Sequence, residues 1–261
     1  MNNKIGKIII PLAVLILTGI MLIPFPALMM DILAALVLTS AFLAVLIIIL
    51  EKKSTEFRLL PTCILVLSIL GPFIQIAFTR LIMTQGEEFD GRIIRVVSII
   101  LTGSDERYGA IVSLGIFFLF SVYVAFAVGR GAVRIAKMAA RFTLDSFPGK
   151  LMTIDAEYSD GNISEKERSL SLDNLKQELD FYGALDGACK FISGNFKVSI
   201  LVTIVSIIGG ITFAAVFGNE TLVSAMSIYV PLSVANGLLA QLLILLKCTA
   251  VKVCITKAKL G

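Results

Sequence analysis

Along this chain the apolar positions run together instead of alternating with polar ones, in stretches long enough to be measured against a bilayer. Six such stretches stand out, at 8–23, 27–50, 59–83, 108–128, 198–217 and 222–246. A hydrocarbon core about 30 Å thick takes roughly 20 apolar residues per helical crossing. Only helices and closed barrels satisfy their own backbone hydrogen bonds there. The pattern predicts an all-α, multi-pass integral membrane protein with about six transmembrane helices, the first being the shortest. Between the fourth and fifth stretches a polar insertion, 129–196, is itself patterned as helix.

Composition agrees: 57% of the 261 residues are hydrophobic and 16% charged, far from the soluble average. Lys4 and Lys7 ahead of the first apolar run resemble the start of a secretory signal. No A-x-A cleavage pattern follows, and "IPFPA" leads straight into another span, so an uncleaved anchor is expected. Nineteen of the 23 Lys and Arg residues fall on one side if the N-terminus is inside. Short loops rich in positive charge stay cytoplasmic, which predicts cytoplasmic N- and C-termini.

The membrane part then divides simply. Residues 1–128 hold the first four spans, 197–247 the last two, and 248–261 a basic cytosolic tail. The outer loop at 84–107 contains "RIIRVVSIIL", apolar on balance yet too short to cross. A helix lying in the outer interface is the expectation.

The insertion opens with Arg130, Arg134, Lys137 and Arg141 at spacings of four, three and four, one face of a helix leaving the bilayer. That stripe is either a headgroup anchor for membrane lipids or the charged lining of an inner mouth. Next comes "ARFTLDSFPGKLMTIDAEY", in which Pro148-Gly149 predicts a type II turn that ends the helix. Asp145 and Asp155 bracket that turn, with Arg141 four residues before Asp145 and Lys150 between the two acids. A second helix is announced by Asp160-Gly161-Asn162 and by a Ser164/Glu167 capping box. Its Leu172, Leu175, Leu179 and Tyr182 form a stripe that should dock on something. Asp186 and Lys190 then stand at i, i+4, just before the fifth span.

Candidate chemistry is narrow. The chain has no His, which removes His-dependent catalytic triads and the usual zinc sites. Cys63, Cys189, Cys248 and Cys254 have no C-x-x-C spacing and read as reduced small residues. No nucleophile is paired with a base, so no enzyme activity, cofactor, metal or nucleic-acid partner is expected. Within the spans, Gln75, Asn236 and Gln241 predict hydrogen bonds between helices.

The run "AARFTLDSFPGKLMTIDAEY" resembles the signature of the FHIPEP family, the large export-gate proteins of type III secretion. "IPFPALMMDILAAL", "TRLIM", "ELDFYGALDGACKFISGN" and "IIGGI" are similar to the same family in the same order. The resemblance implies a nonameric ring in the bacterial inner membrane, working beside other export-gate membrane proteins on exported protein substrates. It also implies coupling of ion flow, chiefly protons, to export. Arg141, Asp145, Lys150, Asp155 and Asp186 stand at the matching positions and become the ion-coupling candidates.

There are departures from the family. "GPFIQIAFTR" has Gly71 and Gln75 where the family has Arg and Asn, with Pro72 as an added helix breaker. Asn236 replaces an Asp in the sixth span, and Val133 and Lys137 stand where Glu is usual. Family members continue with two further spans and a large cytosolic domain, whereas this sequence ends at "KVCITKAKLG". Two other readings therefore stand beside the export gate: a truncated, non-exporting paralogue with a structural role, and an autonomous ion channel or transporter. Phe181-Tyr182 leans toward the flagellar branch of the family.

Overall fold

A lone carboxylate inside an apolar span needs a partner, and Asp31 has found one 61 residues away. It lies on α1 (Ala27–Leu50), whose Ala27, Met30, Ala34, Val37, Ala41, Val45 and Ile48 face the interior. The opposite face, with Leu28, Ile32, Leu36 and Phe42, is exposed and equally apolar, as suits a helix against lipid. The computed structural model describes residues 25–50, 60–103, 106–218 and 221–258. The expected first span at 8–23, with Lys4 and Lys7, lies outside these, as do Lys52, Lys53, Arg58 and Lys259.

After α1 come α2 (Leu60–Gln85), a 3₁₀ turn (Gly86–Glu88) and the short α3 (Arg92–Thr102). Then follow α4 (Glu106–Phe126), a π-helical segment (Ala127–Ala132), α5 (Val133–Ser159), α6 (Glu165–Phe217) and α7 (Leu222–Ala258). No strand occurs among the described residues. Five helical segments are long and apolar enough to cross a membrane, and they match the second to sixth stretches read from the sequence.

α7 is the hub, packing against α1, α2, α3, α4 and α6. Close approach depends on small residues: a Cβ at Gly237 would stand 2.3 Å from the Thr203 hydroxyl of α6. The interior falls into two main apolar clusters. One gathers Met30, Phe78, Ile82, Phe89, Ile94 and Tyr229. The other gathers Ile64, Val124, Ala136, Leu185, Ile192 and Val251.

α3 is the short amphipathic helix expected between the third and fourth stretches, burying Ile94 and Ser98 while exposing Val96, Ile99 and Ile100. Its N-cap, Gly91, has no side chain to satisfy the first amides. Asp31 does so from α1, accepting from Arg92 N at 2.7 Å and Ile93 N at 3.3 Å. The partial positive charge at that helix start favours the carboxylate.

α5 and the first half of α6 form the polar insertion as an antiparallel hairpin. At 53 residues, α6 is about 80 Å long, far more than a bilayer core, so its N-terminal half must project beyond it. The second insertion helix and the fifth span are therefore one helix. The hairpin turn is a Schellman motif: Gly161 sits at φ +73° while Asn162 N reaches Glu157 O and Gly161 N reaches Tyr158 O. The Ser164/Glu167 capping box is present in both directions. Leu175 and Tyr182 are buried, with Leu172 and Leu179 half-buried, so the predicted stripe does dock.

Two expectations are corrected. α5 runs unbroken through Pro148 and Gly149, and Gly149 is not among the positive-φ glycines. Leu144, whose carbonyl loses its helical donor at Pro148, lies on an exposed stretch where water can serve it. Packing of Ala136 and Ala139 and the cross-links described below then hold the helix on course. α2 likewise runs through Pro72. Beyond the sixth apolar stretch, α7 continues to Ala258 and buries Cys248, Val251, Cys254 and Ile255, because their apolar face completes the second cluster. All four cysteines are free.

Candidate functional site

Between the two apolar clusters, side-chain amides and hydroxyls of α2, α6 and α7 meet in a buried seam. Gln75 Nε2 donates to Ser199 O at 3.0 Å and to Thr203 Oγ1 at 3.2 Å. Asn236 Nδ2 donates to Gln75 O at 3.0 Å and to Thr79 Oγ1 at 3.1 Å. The hydroxyls of Ser206 and Ser233 share a hydrogen bond of 2.8 Å. To one side, Gln241 Nε2 donates to Ser121 Oγ on α4 at 2.7 Å. The three amides singled out in the sequence thus all tie helices together. Each such contact is worth about 0.6 to 2 kcal/mol.

Pro72 explains a further member. Its missing N–H leaves Ser68 O without a helical donor, and the Asn195 carboxamide donates to that carbonyl from α6. Beside it lies Lys247, which charge counting placed on the inner side as one of many loop cations. It is 2% exposed, and its ammonium contacts Leu67 O at 3.4 Å. Helix packing, which local sequence does not reveal, encloses it between α2 and α7. Burying an ammonium without an ion-pair partner is costly, so its retention at the end of the sixth apolar stretch marks a site of interest.

The ion-coupling candidates do not converge on one point. Arg141 and Asp145 form their i, i+4 pair at 3.6 Å, with side chains 81% and 63% exposed. Such a pair contributes about 0.3 to 0.5 kcal/mol. Lys150 does not sit between two acids of a turn, since the turn is absent. It reaches across the hairpin to Glu178 at 2.8 Å. Asp155 also crosses, accepting two hydrogen bonds from Arg168 at 2.8 and 3.0 Å, while Arg168 stacks 4.9 Å from the Tyr158 ring. Both residues therefore fasten α5 to α6. Glu167, at the start of α6, has its carboxyl pKa lowered by hydrogen bonds from the backbone and then the hydroxyl of Ser164.

Asp186 is different. Its Oδ2 is held by Lys190 at 3.0 Å, and its side chain is 18% exposed. Oδ1 is buried without a hydrogen-bond partner among the described residues. Asp186 lines a groove between α5 and α6 together with Lys137, Arg141, Leu144, Leu179 and Asp180. Of the basic stripe, Lys137 and Arg141 reach this groove and Arg130 and Arg134 do not. The π segment, which contains Arg130, alters the helical spacing there, and Arg130 lies over the Phe126 ring at 5.0 Å.

Asp31, Asn195, Lys247, Glu178 and Arg168 escaped the sequence reading. A single charge within an apolar run was the available signal for Asp31, and a charge at the end of one for Lys247. The other three meet partners set by the tertiary fold.

Five bilayer-length helices, a buried amide seam and a charged helical hairpin at one end define a multi-pass α-helical membrane protein. Residues 16–260 match the model of the FHIPEP family, and the chain belongs to that family. It is similar to the "Flagellar biosynthesis protein FlhA" of Borreliella burgdorferi, 37% identical over 99% of this chain and 37% of that protein. The proteins of the same description from Treponema pallidum and Salmonella typhimurium are 36% and 31% identical. Each match takes in 95% of this chain and, respectively, 35% and 36% of the relative. The chain therefore spans a little over a third of the length of these relatives. No solved structure matches it.

Proposed function

We propose that this chain is the membrane portion of an export-gate subunit of a flagellar type III secretion apparatus in the bacterial inner membrane. The family match along nearly the whole chain and the flagellar description of its relatives support this reading. In it, both termini and the α5–α6 hairpin face the cytoplasm, where most of the Lys and Arg residues lie. The chain works within a homo-oligomeric ring, nonameric by resemblance, beside other export-gate membrane proteins and in contact with exported proteins. It carries out no covalent chemistry.

Ion coupling is assigned first to Asp186. The observation that carries this is its buried, unpartnered Oδ1, on a side chain that lines a groove together with Lys137 and Arg141. A proton arriving there would remove the charge that holds Lys190 and that shares the groove with the two cations. The electrostatic hold of α5 on α6 would then change with each protonation. Arg141 and Asp145 tune the groove from its exposed rim, whereas Lys150 and Asp155 transmit the change by fastening the hairpin.

The test is made in the source bacterium with this gene deleted and then complemented, reading secreted flagellar subunits. Unchanged secretion in the deletion strain would refute the export role. Asp186→Asn should lower secretion sharply while the protein still accumulates in the membrane. Normal secretion with that variant would leave the export role standing and remove Asp186 from the coupling.

A further inference from the structure

Four glycines inside the bundle are there for close packing. A Cβ at Gly71, Gly209, Gly210 or Gly237 would stand 2.3 to 3.0 Å from a side chain of another helix. Four others, Gly129, Gly131, Gly187 and Gly194, sit in helix where a Cβ would meet no neighbouring side chain or helix within 4 Å. None of these has a positive φ. Gly is among the poorest helix formers, so neither packing nor turn geometry accounts for them.

They are gathered at one level. The Cys189 thiol of α6 reaches Ala132 O at 3.9 Å, where the π segment joins α5. All four glycines lie within five residues of that contact, Gly129 and Gly131 on one arm and Gly187 and Gly194 on the other. Gly183, one turn farther out on α6, is open as well. The π segment adds a second departure on the first arm, since its wider turns interrupt the regular helical ladder.

Stiffness differs on the two sides of this level. Farther out, Lys150–Glu178 and Asp155–Arg168 fasten α5 to α6. On the other side, the amide seam of Gln75, Asn236 and Gln241 ties the bundle together. Between them the contacts are among small and apolar groups, including Ala132, Ala136, Ala188 and Ile192. No ion pair among the described residues crosses there from one arm to the other. α7 adds Val251, Cys254 and Ile255 to the same cluster, an apolar surface along which packed helices can slide.

We propose that the π segment and the four glycines form a two-armed hinge, on which the α5–α6 hairpin tilts as a rigid body relative to the membrane bundle. The hinge stands apart from the ion coupling assigned to Asp186.

Double electron–electron resonance on the full chain in nanodiscs, diluted with unlabelled chain, tests this. Spin labels carried on p-acetylphenylalanine replace two exposed residues, Lys166 of the hairpin and Lys252 of α7. A second pair, at Ser146 and Lys166, lies within the hairpin. The first pair should give a distance distribution at least about twofold broader than the second. Gly129→Ala, Gly131→Ala, Gly187→Ala and Gly194→Ala combined should remove most of the excess width, because higher helix propensity stiffens both arms. Gly115→Ala with Gly149→Ala, open positions each 17 residues from Ala132, should leave it unchanged. Equal widths for the two pairs in the parent, undiminished excess width in the fourfold variant, or a matching loss in the Gly115 and Gly149 variant would overturn the proposal. If the fourfold variant does not fold, Gly131→Ala with Gly187→Ala decides, and unchanged width there overturns it as well.

Discussion

The Asn195 carboxamide of α6 donates to the main-chain carbonyl of Ser68 on α2, the acceptor that Pro72 strips of its helical donor. Breaking this relationship should cost more than an ordinary hydrogen bond, since a buried carbonyl is left alone. Asn195→Ala is expected to destabilise the bundle by about 1 to 3 kcal/mol. Pro72→Ala in the same background should recover much of that, because the restored Ala N–H takes the carbonyl back. Thermal unfolding followed by circular dichroism in nanodiscs reads the cycle. Strictly additive effects would contradict the assignment.

Asn236 meets Gln75 O and Thr79 Oγ1 through its NH₂ group. Asn236→Asp would place carboxylate oxygen where a donor stands, against a carbonyl, and would introduce a buried charge. A loss of about 2.5 to 3.5 kcal/mol or protonation of the new acid is expected. Asn236→Leu should cost less, about 0.6 to 2 kcal/mol. The same unfolding measurement ranks them, and the reverse order would count against the seam.

Asp31 serves α3 as a cap supplied from another helix. Asp31→Ala should destabilise α3 locally by about 0.5 to 2 kcal/mol, the range of a lost N-cap. Hydrogen exchange should quicken at Arg92 and Ile93 while α6 and α7 keep their protection. Uniform loss of protection throughout would mean that Asp31 acts on the whole bundle instead.

Glu167 gives the hairpin a pH dependence of defined sign. Its folded pKa is lowered from an ordinary 4.5, so the capping contribution is fully present above that value. It is lost as pH falls through the lowered folded pKa. Exchange protection at the first turn of α6, corrected for intrinsic rates, should drop on acidification below about 4.5. Glu167→Ala should show lower protection with no such dependence.

Much of this architecture was legible in the order of residues. Each apolar stretch from the second to the sixth falls on one continuous helical segment, and the Ser164 box and Gly161 turn mark the hairpin by local chemistry alone. The i, i+4 pairs Arg141–Asp145 and Asp186–Lys190 were readable for the same reason: both partners lie on one helix face. The pairs Lys150–Glu178 and Asp155–Arg168 were not, because their partners sit 28 and 13 residues away across a fold the sequence does not display.

By itself the sequence determined which segments leave water, because the length of an apolar run and the backbone's need for internal hydrogen bonds leave a helix few alternatives. Only the tertiary structure decided that α5 passes through Pro148, that α2 lends its freed carbonyl to Asn195, and that Lys247 is enclosed instead of facing the cytosol. In each case contacts from a distant helix, or solvent at an exposed face, answer a local penalty of a few kcal/mol. The sum of those contacts is set by packing, and local sequence carries no record of it.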